Sequence, residues 1–413
     1  MHFSEFALNK PILKAIFEKN YDTPTEIQKE AIPMVLDRKD LIASAQTGTG
    51  KTAAFALPVL QRLFHQKNVN KKAKKIRALV VSPTRELAVQ IEEEFAAYGK
   101  YTELKTAVVF GGTSINQQKR TLNKGVDILI ATPGRLLDLR KQEIINFSQV
   151  EILVLDEADL MLDMGFIDDV YKIDRMCPES KQTLLFSATI TDRVINLART
   201  ILKDPERIEI SPSRPTTKSV NQLLYYVPKP SKIELCLHLL RNEIEGNILI
   251  FRRTKNGVDK LEQTLIKNDF KVESLHGDKT QSARQSALNR FKNGEVNILI
   301  ATDVASRGID IDELDVVINF DLPNIPETYI HRIGRTGRAG NTGTAYSFCA
   351  ADEKDYITRI QKTIQKSIPV VEDHPFPLSP KAKPQVHKKK KKGSKHKTGR
   401  KSAASKKNKK RWY

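Results

Sequence analysis

Eight consecutive residues have the composition of a phosphate-binding loop: Ala45-Gln46-Thr47-Gly48-Thr49-Gly50-Lys51-Thr52. Such a loop needs glycines so that successive backbone N–H groups can point at phosphate oxygens, a lysine for the β- and γ-phosphates, and a hydroxyl for Mg²⁺. Lys51 and Thr52 fit these roles, although Ala45 stands where the general pattern has glycine. Because the segment follows an apolar strand and precedes an apolar helix, whose N-terminal end attracts anions, we predict a nucleotide site here.

An acidic tetrad, Asp156-Glu157-Ala158-Asp159, follows another apolar run at 152–155. Carboxylates at the carboxyl end of a strand beside a phosphate loop are placed to hold Mg²⁺ and to orient an attacking water. We assign Asp156 to magnesium, through water, and Glu157 to positioning or deprotonating the nucleophile. Without the phosphate loop, a solvated turn that caps the next helix would be the preferred interpretation.

A basic cluster lies much further along the chain: His331-Arg332-Ile333-Gly334-Arg335-Thr336-Gly337-Arg338. Guanidinium groups stabilise charge on a transferring phosphoryl group, and an arginine finger contributes about 10³- to 10⁵-fold in rate. The spacing alone does not distinguish this role from that of a basic strip that only touches RNA phosphates.

Short apolar runs recur along the chain, each ending in small or polar residues, with helical patterns such as 86–98 and 281–293 between them. The runs predict strands at 40–44, 78–82, 106–110, 127–131, 152–155, 183–186, 247–251, 272–275, 297–301, 316–319 and 344–348. Continuous apolar strands that alternate with helices indicate parallel sheets covered on both faces, which is an α/β fold. Because residues 128–132 and 298–302 have the same sequence in equivalent halves, we predict two related domains.

The boundary between the domains is predicted in the segment 204–220, where Pro205, Pro212 and Pro215 discourage a helix or a central strand. We therefore predict a first domain over 1–207, a linker over 208–220 and a second domain over 221–370. Residues 371–413 form a basic tail that has too few apolar residues to bury, and we expect it to be disordered.

The formal net charge of +20 is unevenly distributed. From His374 to the C-terminus there are sixteen lysines and arginines and no acidic residue, which leaves +4 on the rest of the chain. This asymmetry indicates a polyanionic partner, most commonly nucleic acid. Three widely spaced cysteines argue against a disulfide framework or a zinc site. Since neither a secretory signal nor a membrane-spanning stretch is visible, we expect a soluble, cytoplasmic protein.

The three clusters, in this order, resemble the DEAD-box RNA helicases of superfamily two, and the resemblance covers residues 3–370. It implies two tandem RecA-like domains, with arginine fingers at Arg335 and Arg338. The implied RNA-backbone contacts are Pro83, Thr84, Arg85, Gly112, Thr132, Pro133, Gly134 and Arg135 in the first domain and Thr254, Arg284, Thr302, Asp303, Arg307 and Gly308 in the second. The residues implied to couple hydrolysis to strand separation are Asp159, Ser187, Thr189, Gln281 and His331.

The segment 21–28 resembles the adenine-reading motif of the same family. An amide such as that of Gln28 can both donate to and accept from one base edge, which explains a preference for adenine. The resemblance also places Tyr21 and Thr25 at the nucleotide, Phe3 in a stacking position and Asp310 at the ribose.

Several positions depart from the family's usual residues. Asn20 and Glu26 replace glycine and proline, Ile190 replaces phenylalanine, and the pair at 252–253, both arginine, replaces a small or apolar pair, which leaves the RNA contacts there open. None of these departures touches the catalytic set. The sequence around 43–52 and 155–165 is most similar to the bacterial RhlE-type subgroup.

The resemblance implies an enzyme that uses ATP and Mg²⁺ to separate RNA duplexes locally or to remodel RNA–protein complexes. Its expected partner is RNA, duplex and single-stranded, bound mainly through the backbone. Ribosomal precursors and RNA-decay proteins are further candidates, and we expect a monomer. Three alternatives are an ATP-gated RNA clamp, a DNA helicase of the same superfamily and a passive RNA chaperone. The Gln28 motif and the acidic tetrad argue against the second, and the complete nucleotide site against the third.

Overall fold

The computed structural model describes residues 1–45, 48–65, 76–210, 220–306, 311, 314–337 and 342–379. Six of the predicted site residues lie outside this part of the chain: Gln46, Thr47, Arg307, Gly308, Asp310 and Arg338. The predicted tail lies outside it from residue 380 onward. In the described ranges, no helix combines the length and the apolar character needed to cross a membrane.

Two sheets form the framework of the protein. The first contains β1 Leu41–Ser44, β2 Ala78–Val81, β3 Thr106–Val109, β4 Ile128–Ala131, β5 Ile152–Leu155, β6 Gln182–Ser187 and β7 Glu206–Glu209, in the order β3-β4-β2-β5-β6-β1-β7. The second contains β8 Val220–Tyr226, β9 Ile248–Arg252, β10 Val272–Leu275, β11 Ile298–Thr302, β12 Val316–Asn319 and β13 Gly343–Cys349, in the order β10-β11-β9-β12-β13-β8. The pairings between these strands are parallel. The carboxyl ends of the strands therefore share one edge of each sheet, where ligands bind in such folds.

Helices connect the strands. Those of the first half are α1 Lys10–Glu18, α2 Glu26–Leu36, α3 Lys51–His65, α4 Arg85–Tyr98, α5 Ile115–Asn123, α6 Pro133–Lys141, α7 Ala158–Asp163, α8 Ile167–Met176 and α9 Asp192–Ile201. Those of the second half are α10 Lys232–Asn242, α11 Lys255–Ile266, α12 Gln281–Lys292, α13 Asp303–Ser306, α14 Pro326–Ile333 and α15 Lys354–Ile364. The hydroxyls of Thr84, Thr254 and Thr280 accept hydrogen bonds from backbone N–H groups at the starts of α4, α11 and α12. Such caps satisfy N–H groups in the first turn and mark where each helix begins.

Alternation along the strands divides each sheet between two cores. Leu79 and Leu153 belong to the core on one face of the first sheet, whereas their neighbours Val80 and Val154 belong to the core on the other face. Successive side chains of a strand point to opposite faces. Both faces are therefore apolar, which confirms the prediction of parallel sheets covered on both sides.

The eleven predicted strands are all present, with ends that differ by no more than one residue. Two strands were not predicted. β7 extends through Glu209, two residues past the predicted end of the first domain, because it pairs with β1 at the sheet edge. β8 begins at Val220, the last residue of the predicted linker, and pairs with β13. The three cysteines are free and buried.

A buried lysine organises the carboxyl edge of the second sheet. Lys232 is 2% exposed, and its Nζ donates to the carbonyls of Phe320 at 2.7 Å and Phe348 at 3.0 Å and to Glu353 Oε2 at 2.6 Å. It thereby ties α10 to the ends of β12 and β13. A buried charge is tolerated only when it is paired and hydrogen-bonded in this way.

We expect Lys232→Ala to lower the free energy of unfolding by about 3–5 kcal/mol, because it removes a buried counter-ion and leaves two buried carbonyls without their donor. The measurement is urea unfolding followed by circular dichroism. Lys366→Ala removes the same charge from an exposed position and should change stability by no more than about 0.5 kcal/mol. Equal unfolding midpoints for the two variants would contradict the role given to Lys232.

Candidate functional site

A cleft of about 490 Å³ lies at the facing edges of the two sheets. It collects the predicted nucleotide residues Phe3, Tyr21, Thr25, Gln28, Gly48, Gly50, Lys51, Thr52, Asp156, Glu157 and Arg335. Of these, Arg335 comes from the second sheet's half and the others from the first. Tyr98, Glu93, Glu94 and Lys292 also line it, and sequence reasoning missed them because they carry no motif.

Lys51 and Glu157 form a buried ion pair in this cleft. Lys51 Nζ donates to Glu157 Oε1 at 2.7 Å, and the two side chains are 7% and 8% exposed. Burial by itself would lower the pKa of Lys51, but Glu157 and Asp156 raise it above its usual value. Glu157 has φ +52° and ψ +53°, the left-handed conformation, directly before α7. A non-glycine residue held in this conformation is strained, and such strain concentrates at functional sites.

Asp156 lies next to this pair and has an unfilled hydrogen-bonding position. It is 3% exposed, and its Oδ1 has no hydrogen-bond partner within the described residues. Burial raises the pKa of its carboxyl to about 7, while Lys51 opposes the shift. A buried carboxylate oxygen without a partner is costly unless a cation or water binds it.

The adenine-reading motif contacts the phosphate loop directly. Gln28 is 4% exposed; its Nε2 donates to the Gly50 carbonyl at 3.1 Å, and its Oε1 accepts from the Thr25 N–H at 2.9 Å. Gly50 has φ +89°, and a β-carbon there would lie 2.3 Å from Gln28 Nε2. Only glycine allows this approach. The position of the base-reading amide is thus tied to that of the loop.

The acidic tetrad is joined to β6 through a second set of contacts. Asp159 Oδ2 accepts from the Thr189 N–H at 3.0 Å and from Thr189 Oγ1 at 2.8 Å. The Asp159 N–H donates to Ser187 Oγ at 3.3 Å, and that hydroxyl donates to the Thr189 carbonyl. Ala45 completes the junction, since its N–H donates to the Ser187 carbonyl at 3.1 Å. Three of the five predicted coupling residues, Asp159, Ser187 and Thr189, therefore touch one another beside the phosphate loop.

A second hollow, a groove of about 460 Å³, contains most of the predicted RNA-contact residues of the first half. It is lined by Pro83, Thr84, Arg85, Glu86, Gly111, Thr132, Gly134, Arg135, Asp138, Met164 and Phe166, together with Gly277 and Arg284 from the second half. Gly112 has φ +79°, and a β-carbon there would lie 2.2 Å from Arg85 Nη1. Glycine at this position therefore leaves room for the Arg85 guanidinium beside the groove.

Comparison with known proteins agrees with this geometry. Family models described as DEAD/DEAH box helicase and Helicase conserved C-terminal domain match residues 25–197 and 231–340. The DEAD-box ATP-dependent RNA helicase RhpA of Helicobacter pylori is 43% identical over 370 residues, which cover 90% of this chain and 74% of that protein. CshA of Bacillus subtilis is 40% identical over 366 residues, with 89% and 73% covered. The chain belongs to the DEAD-box family of ATP-dependent RNA helicases.

A solved structure supports the fold of this DEAD-box helicase. S. cerevisiae Dbp5 bound to RNA and ADP BeF3 matches with a TM-score of 0.79 and 32% identity, over 89% of this chain and 95% of that one. The predicted pair of RecA-like domains is therefore confirmed. DEAD-box helicases are ATP-hydrolysing enzymes, and the predicted enzyme class is confirmed with the family.

Several predicted RNA residues of this helicase have partners inside the protein. Arg135 donates to Gln118 Oε1 at 2.8 Å and to the Thr113 carbonyl at 3.2 Å. Asp303 accepts from Arg332 Nε at 2.6 Å and Nη2 at 2.8 Å. Their contact with RNA stays a prediction. The remaining predicted residues outside both hollows are the half-buried Thr49 before α3, Pro133 at the start of α6, Thr254 capping α11, the buried Thr302 at the end of β11, and His331 near the end of α14.

Arg332 was not predicted, although it lies inside the basic cluster. It is 2% exposed, and besides Asp303 it contacts Asn319 Oδ1 at 3.1 Å and the Asp321 carbonyl at 2.7 Å. It thereby fixes the end of α14, from which Arg335 extends into the cleft. Its charge and its place in the motif could have identified Arg332 from the sequence, but its buried partners could not be predicted.

Glu86 connects the two domains of the helicase. It is 3% exposed; its Oε1 accepts from Gln281 Nε2 at 2.9 Å, and its Oε2 lies 3.0 Å from Arg284 Nη2. Glu86 begins α4 and the other two begin α12, so these contacts hold the two halves of the groove together. The predicted coupling residue Gln281 is placed at the interface, and Arg284 serves both the interface and the groove.

We expect Glu86→Ala to raise the RNA concentration for half-maximal ATPase stimulation by roughly 10- to 100-fold. Losing hydrogen bonds to a charged group costs about 1.5–3 kcal/mol, and each 1.4 kcal/mol is tenfold. Without RNA, ATP affinity should stay unchanged, because Glu86 lies outside the nucleotide cleft. Glu103→Ala removes an exposed carboxylate and serves as the control. An unaltered RNA requirement in Glu86→Ala would show that the interface does not stabilise domain closure.

Proposed function

We propose that this helicase hydrolyses ATP with Lys51, Glu157, Arg335 and Arg338 as its catalytic residues, and that hydrolysis drives local separation of RNA duplexes or remodelling of RNA–protein complexes. The observation that carries the proposal is the buried Lys51–Glu157 pair in a cleft that also receives Arg335 from the opposite domain. A site completed by two domains makes turnover depend on their closure.

Glu157 acquires its role when nucleotide binds. The β- and γ-phosphates of ATP attract Lys51 away from its carboxylate partner, since they carry more negative charge. Glu157 is then available to orient a water and to accept its proton. Arg335, and Arg338 three residues further along the chain, stabilise the charge that develops on the γ-phosphoryl group.

The residues at the cleft fit Mg²⁺. Asp156 presents a buried oxygen with no partner in the described structure, and the half-buried Thr52 lines the same cleft. Oxygen ligands of this kind are those that Mg²⁺ prefers, together with waters and substrate phosphates. Asp156, through water, and Thr52 would hold the ion. When bound, it neutralises charge on the phosphate oxygens.

The groove is the proposed binding site for RNA. We infer that closure draws the first-domain residues around Arg85 and the second-domain residues around Arg284 onto one strand of RNA, bending it so that a duplex strand cannot stay paired. Asp159 lies on α7, which begins directly after the cleft residue Glu157 and ends directly before the groove residue Met164; its contact with Thr189 therefore supports a role in coupling. The proposed domains are 1–207 and 221–370, joined by 208–220, and the strands at this boundary, β7 and β8, reach Glu209 and Val220.

We further propose that the protein acts as a cytoplasmic monomer on structured RNA, with ribosomal precursors and RNA-decay complexes as candidate substrates. The RhlE-type subgroup stays a prediction, since the relatives reported above are named RhpA and CshA. Crosslinking the protein to RNA in cells and sequencing the bound fragments would identify the substrates.

Lys51→Ala should abolish ATP hydrolysis and weaken ATP binding, because the phosphates lose their cation and Glu157 stays buried without its partner. Glu157→Gln should keep nucleotide and RNA binding while turnover falls by at least about 100-fold, since a general base contributes 10²–10⁴-fold. Single-turnover hydrolysis and filter binding of RNA measure the two effects. Glu151→Gln, a carboxylate on the same half of the fold but outside the cleft, is the control. Near-normal turnover by Glu157→Gln would remove it from the catalytic set.

Deletion of 380–413 should leave RNA-saturated ATP turnover nearly intact and weaken RNA binding. The segment carries sixteen basic and no acidic residues, and it can neutralise phosphates without reading bases. Each lost phosphate contact should flatten the slope of log affinity against log salt by about 0.7. If affinity and salt slope both persist after deletion, the tail has a solubilising or localisation role instead.

A further inference from the structure

We propose that RNA leaving the groove is bound by a second surface on domain 2, formed by Arg253, Tyr356 and Arg359. We call these three residues the α15 platform. It would take single-stranded RNA, with one base on Tyr356 and the flanking phosphates on the two arginines.

The platform is continuous with the groove. Gly277 lines the groove, and Lys255 Cε lies 3.7 Å from the position that a β-carbon on Gly277 would occupy. Lys255 is also paired with Asp278 of the same loop. Thr254 and Arg253 precede Lys255 in the chain, and the guanidinium of Arg253 lies 5.4 Å from the ring centre of Tyr356. Residues 253–255 therefore connect the groove to α15, and the proposed RNA strand follows them.

The charges beside the platform do not balance. Arg252 lies 3.0 Å from Asp321, Arg253 lies 3.0 Å from Glu353, and Lys232 contacts Glu353 as well. Burial alone would raise the pKa of Asp321, but Arg252 and Lys232 hold it below its usual value, so it stays ionised. Three cations therefore share two carboxylates. Of the three, Arg253 is 42% exposed, whereas Arg252 and Lys232 are 15% and 2% exposed, so the excess positive charge is presented at Arg253.

Tyr356 has the surroundings of a stacking position. The guanidiniums of Arg253 and Arg359 each lie 5.4 Å from its ring centre, and the ring is half-buried at the start of α15. An exposed cation–π contact is worth about 2- to 5-fold in an equilibrium constant, whereas a base stacked on an aromatic ring is worth about 5- to 150-fold. A base can thus displace one guanidinium from the ring, and that guanidinium can then bind the adjacent phosphate.

The basic residues around the platform also favour binding of RNA. Arg359 and Lys362 are exposed on α15, and Lys366 is exposed just past its end. Lys354 Nζ, at the start of α15, lies 5.9 Å from the ring centre of Tyr226. The chain after α15 runs along β8: the N–H of Val371 donates to the Leu224 carbonyl and that of Leu378 to the Tyr226 carbonyl, both at 2.9 Å. The described chain thus ends beside the carboxyl end of β8, on the platform's edge of the sheet. The sixteen basic residues follow from there.

The test uses full-length protein and labelled single-stranded RNA of two lengths, roughly 6 and 16 nucleotides, the range of common single-strand sites. Tyr356→Leu keeps the apolar packing of the ring but loses the stacking face, and Arg359→Glu reverses one charge. Both should weaken binding of the longer RNA by about 5- to 150-fold and keep the affinity for the shorter one. Arg359→Glu should also flatten the salt slope for the longer RNA by at least about 0.7.

The first domain offers a matched control. Tyr101 lies under two cations as well, with Lys14 Nζ at 4.1 Å and Lys100 Nζ at 5.1 Å from its ring centre. Tyr101→Leu and Lys14→Glu should bind both RNAs as the unaltered protein does. RNA carrying 5-bromouridine should photocrosslink to Tyr356 and not to Tyr101. An equal loss of affinity for both RNA lengths would overturn the proposal. Unchanged binding of the longer RNA by Tyr356→Leu and Arg359→Glu would also overturn it, and would indicate that the surface binds an acidic protein instead.

Discussion

The contact between Lys51 and Glu157 is the interaction on which the nucleotide site depends. A lysine at the start of α3 must be buried for a phosphate loop to enclose phosphates, and a buried ammonium needs a counter-ion. The carboxylate that supplies it lies 106 positions along the chain, at the end of another strand, in a strained left-handed conformation. The same pair therefore stabilises the loop electrostatically and holds the proposed general base where a water would attack.

The other parts of the site are arranged around this pair by the parallel sheets. The loop after β1, the tetrad after β5 and the segment after β6 meet at one edge because all three strands run in the same direction. Gln28 reaches the loop from α2 through the Gly50 carbonyl, so the part that reads the base and the part that holds the phosphates cannot move independently. Asp159 and Thr189 join the acidic tetrad to Ser187 at the end of β6.

The second domain also depends on paired charges at the edge of its sheet, and it contains more of them. Lys232, Arg252, Arg253 and Arg332 all meet Asp321, Glu353 or Asp303 at the carboxyl edge of its sheet. Pairs of this kind contribute little net stability compared with apolar packing, but removing one partner is costly. The network therefore fixes the positions of α14 and α15, and with them Arg335 in the cleft and Tyr356 on the surface.

The sequence alone determined the α/β class, the eleven predicted strands and the candidate nucleotide site, because periodicity and short motifs are local properties of the chain. β7 escaped prediction because Ile208 is its one fully buried residue and its other side chains are polar, as an edge strand allows. The partners of the motif residues were decided by the tertiary structure. Glu86 and Arg284 are neighbours in space but nearly two hundred residues apart in the chain, and Arg332 on α14 meets Asp303 at the end of β11 only in the folded domain. A buried charge needs a counter-ion, but which residue supplies it depends on how the chain folds.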